Sequence, residues 1–297
     1  MKRVLLFAAV NIAVLAVIAT VVQVLGLDRY LARYGLSFTG LLILSALFGF
    51  GGAFISLALS KWMARISMGV RVIAEARTPA EHWLLQTVAD HATRLALGMP
   101  EVGIFASPAM NAFATGARRD RALVAVSSGL LEGMDRDEVR AVLGHEMTHV
   151  ANGDMVTLAL LQGVLNTFVI FLARVVGTVI DSAVAQRRDE RANGGLFYFI
   201  IVIVLQILFG VLATLIVMAY SRHREFRADA GGAGLAGTDN MIGALRVLQR
   251  SEGGPLPGQL KAFGIHNGGA PGAVRRLFMS HPPLEERIAA LQARAMR

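Results

Sequence analysis

Cysteine is absent from the 297-residue sequence. That excludes a disulfide framework and any thiolate-bound metal, and leaves His, Asp and Glu as the available metal ligands. Charge is scarce as well: Asp, Glu, Lys and Arg make up 17% of the residues, and mean hydropathy is +0.55. A soluble domain carries about 25% charged residues, so this composition belongs with a membrane. The net charge of +8 has no interleaved aromatic and basic patch behind it, which argues against nucleic acid as a partner. Membrane orientation accounts for the basic excess better.

What the chain has instead is long apolar runs. Four of them, at 4–27, 36–60, 155–180 and 196–220, are each about 25 residues, or about 37 Å as a helix, enough to cross a hydrocarbon core of about 30 Å. The first run follows Met1-Lys2-Arg3 but is too long for a signal peptide, has no small-x-small cleavage site and is soon followed by a second span, so it reads as a retained anchor. Gln162, Asn166 and Arg174 interrupt the third run, and Arg174 there has to snorkel or face protein. Lys2 and Arg3 precede span one, whereas Lys61, Arg65, Arg71 and Arg77 follow span two. By the positive-inside rule both termini and the region after span two are cytoplasmic. The expected organisation is residues 1–60 and 155–220 in the bilayer, with 61–154 and 221–297 forming one cytoplasmic domain in two parts.

Between the second and third runs stands His145-Glu146-Met147-Thr148-His149. Asp135 and Glu138 have the spacing of a capping box, which starts a helix just before Val139. His145 and His149 are then one turn apart on one face, where two imidazoles can share a tetrahedral zinc ion. Glu146 stands beside them as the base that takes a proton from the attacking water. The helix is expected to end at Asn152-Gly153-Asp154, bending toward the third run.

Such a site needs one more protein ligand. A third histidine six residues on is missing, because Met155 is there. Glu225 and Asp229, four apart on a second expected helix, form a like-charge pair that a cation would reconcile. Glu225 would bind the metal and Asp229 would accept the free N–H of a liganding histidine. The competing reading is that both balance Arg222, Arg224 and Arg227 on a solvated face.

The flanking segments complete the outline. Thr78-Pro79-Ala80-Glu81 starts a helix carrying His82 and His91, both read as structural or solvated. Short apolar segments at 102–105, 111–115 and 122–126, separated by turn residues, predict a small antiparallel sheet. An exposed edge at Asn111-Ala112-Phe113-Ala114-Thr115 would bind a peptide as an added strand. After the glycines at 231, 232 and 234 a short helix is expected from Met241 to Gln249, and residues 251–272 read as a long Gly- and Pro-rich loop containing His266. His281 and Arg287, at the start of a C-terminal helix, either face the metal cleft and stabilise an oxyanion or form a capped surface helix with Glu/Arg pairs.

Taken together, Asn111 to Ala114, His145 to His149, Arg224-Glu225-Phe226-Arg227-Ala228-Asp229 and His281-Pro282-Pro283-Leu284-Glu285-Glu286-Arg287 resemble the HtpX family of membrane-bound zinc metallopeptidases, relatives of the CAAX prenyl endopeptidases. The resemblance implies a mainly α integral membrane protein with four transmembrane helices and a cytoplasmic α+β zincin-type domain. It implies Glu225 as the third zinc ligand, Asp229 behind the site, and His281 and Arg287 near the substrate. It further implies a bacterial inner-membrane quality-control protease acting on misfolded membrane proteins. A non-catalytic zinc-tied scaffold and a prenyl-protein-type protease are the alternative readings; a transporter would leave the cytoplasmic motifs unused.

Overall fold

The computed structural model describes residues 37–185, 194–251 and 276–296. The expected span at 4–27, Lys2 and Arg3 before it, and all but the first residue of the 251–272 loop, His266 included, lie outside the described residues. Chain contacts divide the protein into two compact units. Among the described residues, one unit takes in those up to Ser56 together with those from Thr157 to Val217, and the other takes in Leu57–Val156 together with those from Met218 on.

Three helices among the described residues are long and apolar enough to cross a membrane: α1 (Phe38–Met68), α5 (Asp154–Ala185) and α6 (Gly194–Ala236). Their exposed residues include Ile43, Leu47, Phe48, Leu196, Ile207 and Leu208. Exposed apolar side chains in such density suit lipid, not water. In the same unit, Gly49 leaves room for Thr167, and Phe38 meets Phe171 edge-on at 5.3 Å. All three helices outrun the apolar stretches that predicted them. Residues 61–68 contain no helix breaker, and α1 stops only where Gly69 takes φ +61°.

The second unit is built around a four-stranded sheet, β1 (Arg71–Val72), β2 (Glu101–Phe105), β3 (Ala112–Thr115) and β4 (Leu123–Ser127), in the order β1-β2-β4-β3. The sheet is mixed, not antiparallel as expected: β2 and β4 pair in parallel, while β1–β2 and β3–β4 are antiparallel. The cause lies in β4, whose residues are all buried. Val124 and Val126 join the core beneath the helices, whereas Leu123 and Ala125 pack with Phe105, Phe113 and Ala64 of α1 on the other face. A strand apolar on both sides takes the interior of a sheet. β4 therefore inserts between β2 and β3, and β3 is left at the edge with β4 as its one neighbour among the described residues.

Against this sheet lie α2 (Pro79–Arg94), the short α3 (Ser128–Gly133) and α4 (Arg136–Asn152). Thr78 with Glu81, and Asp135 with Glu138, close the capping boxes that start α2 and α4. α7 (Thr238–Ser251) and α8 (Leu284–Ala295) complete the core through Met241, Leu245, Leu248, Leu284 and Leu291. Helix α4 is enclosed: every residue from Ala141 to Val150 is buried.

The glycines at 231, 232 and 234 do not break a helix, contrary to expectation; they are interior to α6, which ends at Gly237 with φ +102°. They are small because α4 crosses there. A Cβ on Gly144 would lie 3.2 Å from the Gly232 Cα, and one on Gly231 would strike Thr148 Oγ1 at 2.3 Å. Gly231→Ala is therefore expected to cost about 1–3 kcal/mol by overpacking and to push α6 off α4. The paired variant Gly231→Ala/Thr148→Gly clears the three Thr148 side-chain atoms, Oγ1, Cγ2 and Cβ, that the new methyl would meet at 2.3, 2.4 and 2.8 Å. It should restore both the melting temperature and the metal content lost in Gly231→Ala. A double variant no better than the single one would contradict this account of the crossing.

Candidate metal centre and active site

Helix α4 brings His145 and His149 forward, and α6 brings Glu225 to meet them. The two Nε2 atoms are 3.2 Å apart, His149 Nε2 is 3.3 Å from Glu225 Oε1, and His145 Nε2 is 3.5 Å from Glu225 Oε2. Tetrahedral ligation at about 2.0–2.1 Å places neighbouring donor atoms about 3.3 Å apart; the separations here are of that size, with the two imidazoles meeting different oxygens of the one carboxylate, and one ligand atom from each residue lies within 4.8 Å of the others. The donors also want a cation. Glu225 Oε1 is buried without a hydrogen-bond partner, a costly state for a carboxylate. Burial works against charge on the His145 ring, yet the hydrogen bonds of Asp229 and Glu225 outweigh it and raise its pKa to about 9. Burial opposes charge on His149 too, and Glu225 and Asp154 reverse that effect and raise its pKa. The cluster attracts positive charge, and a metal ion can supply it.

Both rings are held from behind. His145 Nδ1 lies 2.9 Å from Asp229 Oδ1, and His149 Nδ1 lies 2.6 Å from Asp154 Oδ2. A carboxylate can only accept, so each Nδ1 carries the hydrogen and each Nε2 turns its lone pair to the centre. Asp154 was not anticipated from sequence. Five residues beyond His149 on a continuing helix it would face elsewhere, but Gly153, with φ 67° and ψ 34°, ends α4 and turns the chain back. An aspartate directly after a left-handed glycine cap was the available signal.

Arg287 is 1% exposed and grips Asp229 through two hydrogen bonds, Nε to Oδ2 at 2.8 Å and Nη2 to Oδ1 at 2.5 Å. Burial disfavours its charge, but Asp229, Glu225 and Glu146 around it more than compensate. His281 donates from Nδ1 to Glu225 Oε2 at 2.6 Å, and its side chain keeps 14% exposure. Glu146 is buried beside the histidines at 6% exposure. Asn111 is 2% exposed with neither amide atom partnered; its backbone N–H and carbonyl bond Ser127, leading into Ala112, Phe113 and Ala114 of β3. His91 is structural, 3.0 Å from the Arg140 carbonyl through Nε2.

A buried His-Glu-x-x-His helix with a glutamate donor from a second helix defines a metallopeptidase centre. The comparisons place it further. The sequence profile of Peptidase family M48 matches residues 78–295, and the chain belongs to that family. It is 58% identical over 293 residues to Protease HtpX of Xanthomonas oryzae pv. oryzae, covering 98% of this chain and 97% of the relative. A Protease HtpX homolog of Thiobacillus denitrificans is 55% identical over 293 residues, covering 99% of both chains. Among solved structures, S. mikatae Ste24p shares the fold, with TM-score 0.62 at 17% identity over 98% of this chain and 67% of that one. The protein is a membrane-bound metalloprotease.

Proposed function

We propose that the metal is zinc and that the chain is an endopeptidase of the bacterial inner membrane, cutting misfolded or damaged membrane proteins. The observation that carries the zinc reading is the buried group of His145, His149 and Glu225, two imidazole nitrogens 3.2 Å apart with the oxygens of one carboxylate 3.3 and 3.5 Å from them, a donor set that suits zinc. A zinc ion held there supplies Lewis acidity, polarising a peptide carbonyl and lowering the pKa of water toward ~7.

The remaining work falls to side chains. Glu146 takes the proton of the attacking water and later gives it to the leaving amine. Asp229 and Asp154 keep both imidazoles in the liganding tautomer, and Arg287 holds Asp229 in place. Arg287 commits Nε and Nη2 to Asp229, while its Nη1, 3.9 Å from Glu225 Oε2, has no hydrogen-bond partner and is the atom of this side chain that suits the expected oxyanion contact. His281, partly exposed and anchored on Glu225 through Nδ1, would serve as a second oxyanion donor from Nε2 when that nitrogen also carries a proton. The β3 edge takes the substrate as an extra strand, and the unpartnered Asn111 carboxamide suits a substrate peptide group.

The Lys and Arg distribution supports cytoplasmic termini and a cytoplasmic active site, with 61–154 and 221–297 as the protease domain and 1–60 and 155–220 as four spans. The test is hydrolysis of an unfolded protein by the detergent-purified chain. Chelation should abolish cleavage and added zinc restore it; cleavage that survives complete metal removal would overturn the reading.

A further inference from the structure

Beyond Ser60, where the apolar run ends, α1 continues for two turns and its sides diverge. Ile55, Leu59, Trp62 and Ile66 follow one another at helical spacing and are 62, 45, 57 and 63% exposed, one apolar stripe carried past the end of the run. Lys61 and Arg65, one turn apart, face the sheet instead. Lys61 Nζ is 2.6 Å from Glu101 Oε1 and donates to the Arg121 carbonyl at 3.2 Å, and Arg65 pairs with the other oxygen of Glu101. The turn at 118–121 is thereby fixed within a lysine's reach of the Trp62 level of the helix.

That turn carries Arg118, Arg119 and Arg121, all exposed, and none pairs with a carboxylate among the described residues. Asp120 is the one acid in it, and its Oδ1 accepts from Gly98 N. Arg119 lies against Gly153, with Nη2 3.0 Å from where a Cβ would sit. Five cations, Lys61, Arg65, Arg118, Arg119 and Arg121, thus face two carboxylates, Glu101 and Asp120, beside an exposed apolar stripe that includes a tryptophan.

We propose that Arg118, Arg119 and Arg121 form a binding surface for the phosphate headgroups of anionic phospholipids at the point where α1 leaves the bilayer. This rests on the reading that α1 spans a membrane. Charge complementarity alone would also admit an acidic peptide or a nucleic acid. The adjoining stripe decides for lipid, the ligand that presents an anion and an apolar chain side by side, with tryptophan at the interface between them.

Each arginine near an anionic leaflet contributes about fivefold in binding at low ionic strength, so removing three should weaken it on the order of a hundredfold. The full chain in mild detergent is titrated with phosphatidylglycerol and with phosphatidylcholine, and bound lipid is counted by native mass spectrometry. The wild type should prefer phosphatidylglycerol, and Arg118→Gln/Arg119→Gln/Arg121→Gln should lose that preference with its fold and metal content intact. Equal preference in both proteins overturns the proposal. So does equal binding of deacylated headgroup or inorganic phosphate, which would make the turn a free-phosphate site, or stronger competition by an acidic peptide or oligonucleotide. The readout is bound lipid, so it stands whether or not the chain cleaves peptides. Release of the chain from membranes by alkaline wash would instead defeat the spanning reading beneath it.

Discussion

Glu146→Gln is expected to lose about 10²–10⁴-fold in kcat while metal content and melting temperature stay at wild-type values. The amide matches the carboxylate in shape, so the buried position, 6% exposed, remains filled. Glu146 is no corner of the donor triangle, which consists of His145, His149 and Glu225. What the substitution removes is the ability to accept a proton from water and pass it to the departing nitrogen. The check is turnover of an unfolded protein at matched metal content, measured by plasma emission. Parallel loss of metal and turnover would show that Glu146 helps to hold the ion, and the separation of roles would fail.

Glu225→Ala should do the opposite: the metal goes first, and activity follows it. Structural zinc binding at neutral pH is worth about 10–16 kcal/mol in small sites, so losing one of three protein donors should weaken affinity on the order of 10³-fold. The loss also reaches beyond the triangle. Glu225 Oε2 receives His281 at 2.6 Å and stands 3.9 Å from Arg287 Nη1, so its removal leaves three histidines and an arginine facing one another without their shared carboxylate. Competition with a chromogenic chelator measures the affinity directly. Glu225→Gln, which keeps the volume and one carbonyl oxygen, should fall between wild type and alanine. Wild-type affinity in the alanine variant would remove Glu225 from the site.

The readable parts of this protein were those whose logic is local. Two histidines four residues apart behind an Asp135–Glu138 cap fix a helix face within about four turns of chain. The apolar runs behind α1, α5 and α6 needed only composition. Harder features depend on what arrives from elsewhere. Nothing in 102–126 says that β4 will be covered on both faces, yet that burial puts it beside β2 in parallel and sends β3 to the edge. Gly231 and Gly232 resemble a linker until α4 is packed across them. Asp154 returns to His149 only because one glycine adopts a left-handed conformation. Arg287 could be read as solvent-facing until Asp229, 58 positions away, is seen to claim it.

The edge position of β3 has a consequence for selectivity. A substrate that docks by continuing a sheet must offer a length of backbone whose own hydrogen bonds are free. In a folded protein those groups are already taken, and releasing them costs the local opening free energy, from about 0 at frayed ends to the full unfolding free energy in a core. Cleavage through such an edge samples the open fraction of each target, so its rate ranks proteins by how often a segment comes loose and only weakly by what that segment spells. With substrates docked as proposed, the protease would work as a gauge of conformational integrity: an intact neighbour would be spared because its backbone is occupied, and a damaged one would be exposed by the same criterion.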